Sequence, residues 1–123
     1  MIETFPAPPG AFIDRVHMPE FTCLCPKTGQ PDFAKLTLWY KPNDRCLELK
    51  ALKLYLWAYR EQGMFHEAVT NKILDDFVAA SAPLWMLLEG DFFRRGGIST
   101  RVYAQRGPVP DALTAALMVR GDW

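Results

Sequence analysis

In the stretch FAKLTLWY, side chains alternate with a period of two: Ala34, Leu36, Leu38 and Tyr40 share one face, Lys35 and Thr37 the other. That alternation predicts a strand over Phe33 to Tyr40 with one buried face. Pro42, Asn43 and Asp44 mark a turn, after which Arg45 to Glu48 begins a short return segment. The period then changes. In KALKLYLWAYREQ, Leu52, Tyr55, Leu56 and Tyr59 follow the i, i+3, i+4, i+7 spacing of a helix that Gly63 ends. A second helix is predicted from about Phe65 to Ser81, with Phe65, Val69, Ile73, Phe77 and Ala80 as its buried stripe and Pro83 closing it. Leu84 to Phe93 and Ile98 to Gln105 read as a hairpin around Arg94, Arg95, Gly96 and Gly97. Upstream, Ala11 to His17 is expected to be a first strand, preceded by an extended proline-rich arm over residues 1–10. Between these strands, EFTCLCPKTGQPDF (residues 20–33) has the composition of a loop, with Pro26, Thr28, Gly29 and Pro31 all resisting helix and strand. Pro108 and Pro110 begin a tail, residues 107–123, in which Asp111 is expected to cap a short helix.

The order β-β-α-α-β-β predicts an α+β fold: a four-stranded antiparallel sheet with two helices on one face. In LWMLLEGDFF, Leu84, Met86, Leu88 and Phe92 point one way, and Trp85, Leu87 and Phe93 the other. A sheet apolar on both faces, in a chain too short to cover both, predicts oligomerisation with sites between subunits.

Composition narrows the class. A chain of 123 residues without internal repeats is read as one domain, residues 1–123. Fourteen basic residues balance fourteen acidic ones, so no global field points to nucleic acid or an anionic membrane, and neither partner is expected. Three cysteines cannot all pair within the chain and match no disulfide framework, which predicts a reducing compartment. The opening MIETFPAPPG has neither a basic start nor an apolar run, so no signal peptide is expected. The longest uncharged run, Phe77 to Leu88, contains Pro83 and is too short to span a bilayer. A soluble cytoplasmic protein is expected.

Candidate chemistry lies in four places. Cys25 sits in the polar loop, and the turn before Asp32 can fold that carboxylate back beside the sulfur. The combination suits a nucleophile; it suits equally half a metal site, or plain packing. Activation of the thiol would fall to Lys27 or a helix N-terminus. Cys23 is expected to point away from Cys25 and to pack, and Cys46 to pack likewise. Zinc ligands are conceivable among Cys23, Cys25, Cys46, His17 and His66, but no C-x-x-C or H-x-x-x-H spacing occurs, so no metal is expected. Lys50 and Lys53, three apart on one helical face, make either a solvated face or a phosphate clamp, to which Arg94, Arg95, Gly96 and Gly97 could add. His66 and Glu67 fall in the first turn of the second helix. There the acid complements the helix dipole, or its carboxylate reads the paired N–H edge of a guanine-like ring beside a histidine able to pass protons.

Four segments, EFTCLCPKTGQPDF, ELKALKLYLW, FHEAVTNKILDD and RGGI, in this order and spacing, resemble the NADPH-dependent 7-cyano-7-deazaguanine reductases. These are the nitrile reductases of queuosine biosynthesis, often called QueF, here in single-module form. The resemblance covers about residues 19–100. It implies the tunnelling fold, in which subunits join their sheets into a barrel. It implies Cys25 as the nucleophile that forms a thioimide with the nitrile, and Asp32 as the acid, with His66 a further proton donor. Glu48, Lys50, Ala51, Lys53 and Tyr55 match the signature linked with NADPH, which the Arg94–Gly97 turn would supplement. Glu67 and His66 match the pair at the substrate, whose pocket Leu47, Glu48 and Leu49 would line. An amidine-forming relative acting on the same cyano base in transfer RNA, a zinc cyclohydrolase of the same fold and a non-catalytic purine-binding oligomer are the alternatives.

Overall fold

The alternating run around Leu36 forms an inner strand of a four-stranded antiparallel sheet. The computed structural model describes residues 2–121 and 123. Its strands are β1 (Thr4–Pro6), β2 (Asp14–Leu24), β3 (Pro31–Lys41), β4 (Arg45–Leu47), β5 (Trp85–Arg95) and β6 (Ile98–Arg106). Its helices are α1 (Leu49–Trp57), extended by a 3-10 turn over Ala58–Glu61, α2 (His66–Ser81) and α3 (Asp111–Met118). The main sheet runs β2-β3-β5-β6, all antiparallel, while β1 and β4 pair separately. The return segment thus joins the N-terminal arm and not the main sheet.

The even-numbered face of β3 and β5 carries Leu36, Leu38, Tyr40, Met86 and Leu88, which pack with Val69, Ile73, Leu74 and Phe77 of α2 in one core, all essentially inaccessible. Each such side chain contributes on the order of 1.5–3 kcal/mol on burial. The stripe predicted for α2 holds at Val69, Ile73 and Phe77, but Phe65 is 55% exposed, because it lies just outside the helix at its N-cap. The helix stops at Ala82, whose left-handed φ of 46° turns the chain and whose N–H returns to the Val78 carbonyl before Pro83. Pro110, not Asp111, is the N-cap of α3; Asp111 stands in its first turn.

Two β-bulges change which residues face the helices. In β2, Pro19 and Glu20 together oppose the single residue Lys35, so the register shifts between Met18 and Phe21. The inward positions therefore pass from Val16 and Met18 to Phe21 and Cys23. Proline fits at such a site because a bulge interrupts the ladder. In β5, Phe93 and Arg94 oppose Ser99 alone, with the same reversal between Phe92 and Arg95. The first strand begins at Asp14 and, across its bulge, continues through Leu24, and β3 starts at Pro31. Only residues 25–30 of the stretch expected to be loop remain one.

The second face is covered in part from within the chain. Trp85 and Leu87 are 6% and 1% exposed, and the C-terminal segment crosses this side. Arg120 donates to both oxygens of the buried Glu89 at 3.2 and 2.5 Å, and the Arg101 guanidinium lies 4.4 Å from the Trp123 ring centroid. This crossing covers part of the face that the sequence left to other subunits, while Phe33 and Phe93 on it stay 46% and 48% exposed. On α1, Leu49, Leu54 and Trp57 are each more than 60% exposed.

Candidate active site

The six residues Cys25 to Gln30 turn β2 into β3. The Cys25 N–H donates to the Gln30 carbonyl and the Gly29 N–H to the Cys25 carbonyl, both at 2.8 Å, with Gly29 at a φ of 73° that favours glycine. The connector between α1 and α2 pins the other side of this turn. The Leu24 N–H reaches the Gln62 carbonyl at 2.9 Å and the Met64 N–H returns to the Leu24 carbonyl at 3.1 Å. A Cβ on Gly63 would stand 3.3 Å from Pro26 Cα, so the connector approaches the turn more closely than most side chains would allow. This connector leads directly into His66, and the chain thereby carries the start of α2 to the cysteine turn.

The three thiols are separated by their surroundings. Cys25 is partly exposed, and its pKa is lowered by the Thr28 hydroxyl, then by the backbone N–H groups of Lys27 and Thr28, all donating to sulfur. Cys23 is inaccessible and pushed up to about 11, by burial first and then by the charges of Asp32 and Cys25. Burial also raises Cys46. Cys25 alone is favoured as a thiolate. The Thr28 hydroxyl does what Lys27 was expected to do; the C-P-K-T-G turn is the signal that could have revealed it. Cys23 packs as expected, but not because it points away from Cys25. Residues two apart on a strand share a face, and the two thiols are near enough to interact.

Asp32 is 6% exposed and lies directly across from Cys23 in the β2–β3 ladder. His66 Nε2 stands 3.3 Å from Asp32 Oδ2, and Arg95 Nη1 donates to Asp32 Oδ1 at 2.6 Å. The His66 ring stacks on Phe92, with centroids 3.8 Å apart and planes 3° from parallel. Its carbonyl accepts from the Thr70 hydroxyl at 2.8 Å. Cys25, Asp32 and His66 thus converge, with Phe92 and Thr70 as supports that periodicity assigned only to packing or not at all. Glu67 is exposed next to His66 on the first turn of α2, open to a ligand.

The residues of the expected cofactor signature divide between two hollows, one on either side of α1. A hollow of about 580 Å³ between α1 and β2 is lined by Leu49, Lys53, Trp57 and Arg60 among others. A second, of about 490 Å³, includes Glu48, Lys50, Ala51 and Tyr55 with Ile2 and Glu3. Lys50 and Lys53 therefore line different hollows. Glu48 is the N-cap of α1: its Oε2 accepts from the Lys50 N–H at 3.0 Å and Oε1 from the Ala51 N–H at 2.8 Å. The Tyr55 hydroxyl donates to Asp76 and meets Tyr59 at 2.6 Å, so its tip braces α1 against α2. Leu47 is buried, with its N–H donating to the Tyr40 hydroxyl at 3.0 Å. At the β5–β6 turn Gly96 and Gly97 have φ of 58° and 80°, the two positive values of a tight hairpin. Arg94 is exposed, and Arg95 reaches back to Asp32. Among the described residues, no three His, Cys, Asp or Glu side chains are grouped to hold a metal ion.

The family model described as QueF-like protein matches residues 31–110. A protein of Nitrosomonas europaea named NADPH-dependent 7-cyano-7-deazaguanine reductase is 60% identical over 106 residues, covering 85% of this chain and 76% of that one. One of the same name from Anaeromyxobacter dehalogenans is 59% identical over 111 residues, covering 89% of this chain and 91% of that one. The solved apo structure of the archaeosine synthase QueF-Like aligns with a TM-score of 0.71 at 21% identity, over 85% of this chain and all of that one, a likeness of fold.

Proposed function

The chain belongs to the QueF-like family, and from that premise we propose that it reduces the nitrile of 7-cyano-7-deazaguanine to the aminomethyl base with NADPH, in queuosine biosynthesis. The observation that carries the mechanism is the lowered pKa of Cys25 beside the Asp32–His66 pair. In this reading the Cys25 thiolate attacks the nitrile carbon, one C–N π bond breaks, and the nitrogen takes a proton from the Asp32–His66 pair. The product of that step is a thioimide on Cys25. Glu67, exposed one residue from His66, accepts the paired N–H donors of the guanine-like edge, and Leu47, Glu48 and Leu49 are the further candidates for that pocket.

The donor set fits a dinucleotide phosphate. Lys53 and Arg60 bring positive charge to a hollow that also offers Trp57 and Leu49 as apolar surface, and Lys50 lines the hollow on the other side of α1. Lys50, Ala51, Lys53 and Tyr55, with Arg94, Arg95, Gly96 and Gly97, are the cofactor-binding candidates. When bound, NADPH supplies hydride. We place the assembled site between subunits of a homo-oligomer, because β2 and β6 are open edges of the sheet and Leu49 and Trp57 are exposed beside the β2 edge. Three free cysteines suit a reducing cytoplasm, and among the described residues no helix is long and apolar enough to cross a membrane.

The test is stoichiometry with purified protein, excess NADPH, a known amount of the cyano base and no transfer RNA. Nitrile to primary amine takes four electrons and each hydride carries two, so two NADPH should be consumed per amine formed. No NADPH consumption refutes the reductase reading. Ammonia-dependent product without NADPH identifies the amidine-forming reaction, and binding without turnover the non-catalytic module.

A further inference from the structure

Arg95 makes more contacts with the cysteine turn than a cofactor clamp at a hairpin tip requires. Its Nη1 donates to Asp32 Oδ1 at 2.6 Å and to the Pro31 carbonyl at 2.7 Å, while Nη2 donates to Gln30 Oε1. Gln30 is the residue whose carbonyl holds the Cys25 N–H. One guanidinium therefore spans three successive residues that close the nucleophile's turn. Without the β5 bulge, strict alternation would put Arg95 on the face opposite Phe92. The extra residue between Phe92 and Arg95 reverses that parity and brings it to Asp32. The carboxylate is left with one oxygen held by Arg95 and the other beside His66.

We infer that Arg95 is a positioning residue for the reduction, fixing the Cys25 turn and presenting one Asp32 oxygen to His66 and the substrate. The inference rests on the thioimide reading and deepens it. A lysine cannot replace the fork, because an ammonium on a flexible stem cannot hold a carboxylate, a backbone carbonyl and a side-chain amide together in fixed directions.

The experiment follows adduct formation on Cys25 by intact mass, with the cyano base and no NADPH, in wild type, Arg95→Ala and Arg95→Lys. Misplacing the turn should slow adduct formation roughly 10- to 100-fold in Arg95→Ala, with a smaller loss in Arg95→Lys. Millimolar guanidinium should restore part of the Arg95→Ala rate, whereas sodium chloride at equal ionic strength should not. Amide exchange at Cys25 and Gly29 should accelerate in the same variant, a readout that needs no reaction. If Arg95→Ala fails to fold, Arg95→Lys and Gln30→Ala carry the comparison. A wild-type adduct rate in the variants, with only the NADPH KM raised, overturns the inference in favour of a cofactor contact. If wild type forms no adduct, the thioimide reading falls, and unchanged exchange in the variants overturns the clamp separately.

Discussion

Adding one methyl group at Gly90 should damage the site without touching a reacting atom. Gly90 is buried in β5 where α2 crosses it, and a Cβ there would stand 2.7 Å from Thr70 Oγ1 and 2.9 Å from Phe92 Cε1. Both neighbours support His66: the Thr70 hydroxyl bonds its carbonyl at 2.8 Å, and the Phe92 ring stacks on its imidazole at 3.8 Å. Neither yields cheaply. Rotating Thr70 breaks that hydrogen bond in a β-branched residue already restricted by its helix, and moving Phe92 displaces the stacked ring. Overpacking of this kind costs roughly 1–3 kcal/mol. For a domain of this size, each kcal/mol lowers Tm by about 3–5 °C. The larger effect should be on rate. His66 and Asp32 are 3.3 Å apart, and a shift of about 1 Å in a reacting geometry can cost on the order of 100-fold. Urea unfolding of Gly90→Ala should show a lower midpoint with unchanged slope, and adduct formation on Cys25 should slow by more than the stability loss explains. Thr70→Ala removes the nearer clashing atom, so Gly90→Ala should cost less in that background than alone. Wild-type midpoint and rate in Gly90→Ala would refute the reasoning.

Four further outcomes are expected. Because the Cys25 pKa is lowered, its thiolate should persist at lower pH than that of an ordinary cysteine; Thr28→Val should move the pH midpoint of iodoacetamide alkylation upward, and an unmoved midpoint would contradict the role of that hydroxyl. Cys23, with a thiol pushed up to about 11, should stay unmodified in the native protein at neutral pH. Arg120→Ala removes the guanidinium from both oxygens of the 3%-exposed Glu89 and should destabilise by about 1–3 kcal/mol, discounted because Arg120 is itself one-third exposed; thermal melts should show a smaller loss in a Glu89→Gln background. Lys53→Ala and Arg60→Ala should each raise the NADPH KM roughly 10-fold or more while leaving the KM for the cyano base within about 2-fold, since a charged hydrogen bond to phosphate contributes about 1.5–3 kcal/mol; equal rises in both would place those cations elsewhere.

Periodicity in the chain determined what periodicity can encode. The alternation at Ala34 to Tyr40 and the 3.6-residue stripe at Val69, Ile73 and Phe77 specify a strand and a helix that bury those faces together, because each pattern has one amphipathic solution. The resemblance of four ordered segments also singled out Cys25, Asp32 and His66, although 41 residues separate the first from the last. Local pattern could not show the two places where β2 and β5 each take an extra residue, since a bulge depends on how the partner strand pairs and not on the bulged strand alone. Those two insertions turn Phe21 and Cys23 inward and bring Arg95 to Asp32, and so decide which side of the sheet carries the site. Tertiary structure also divided Lys50 from Lys53, whose spacing suggested one clamp, by placing the N-terminal arm against one side of α1 and β2 against the other. The pattern of the C-terminal tail announced a short helix but no partner for Arg120, which found the buried Glu89 because pairing a desolvated charge is a requirement set by the folded surface and not by the neighbours of either residue in the chain.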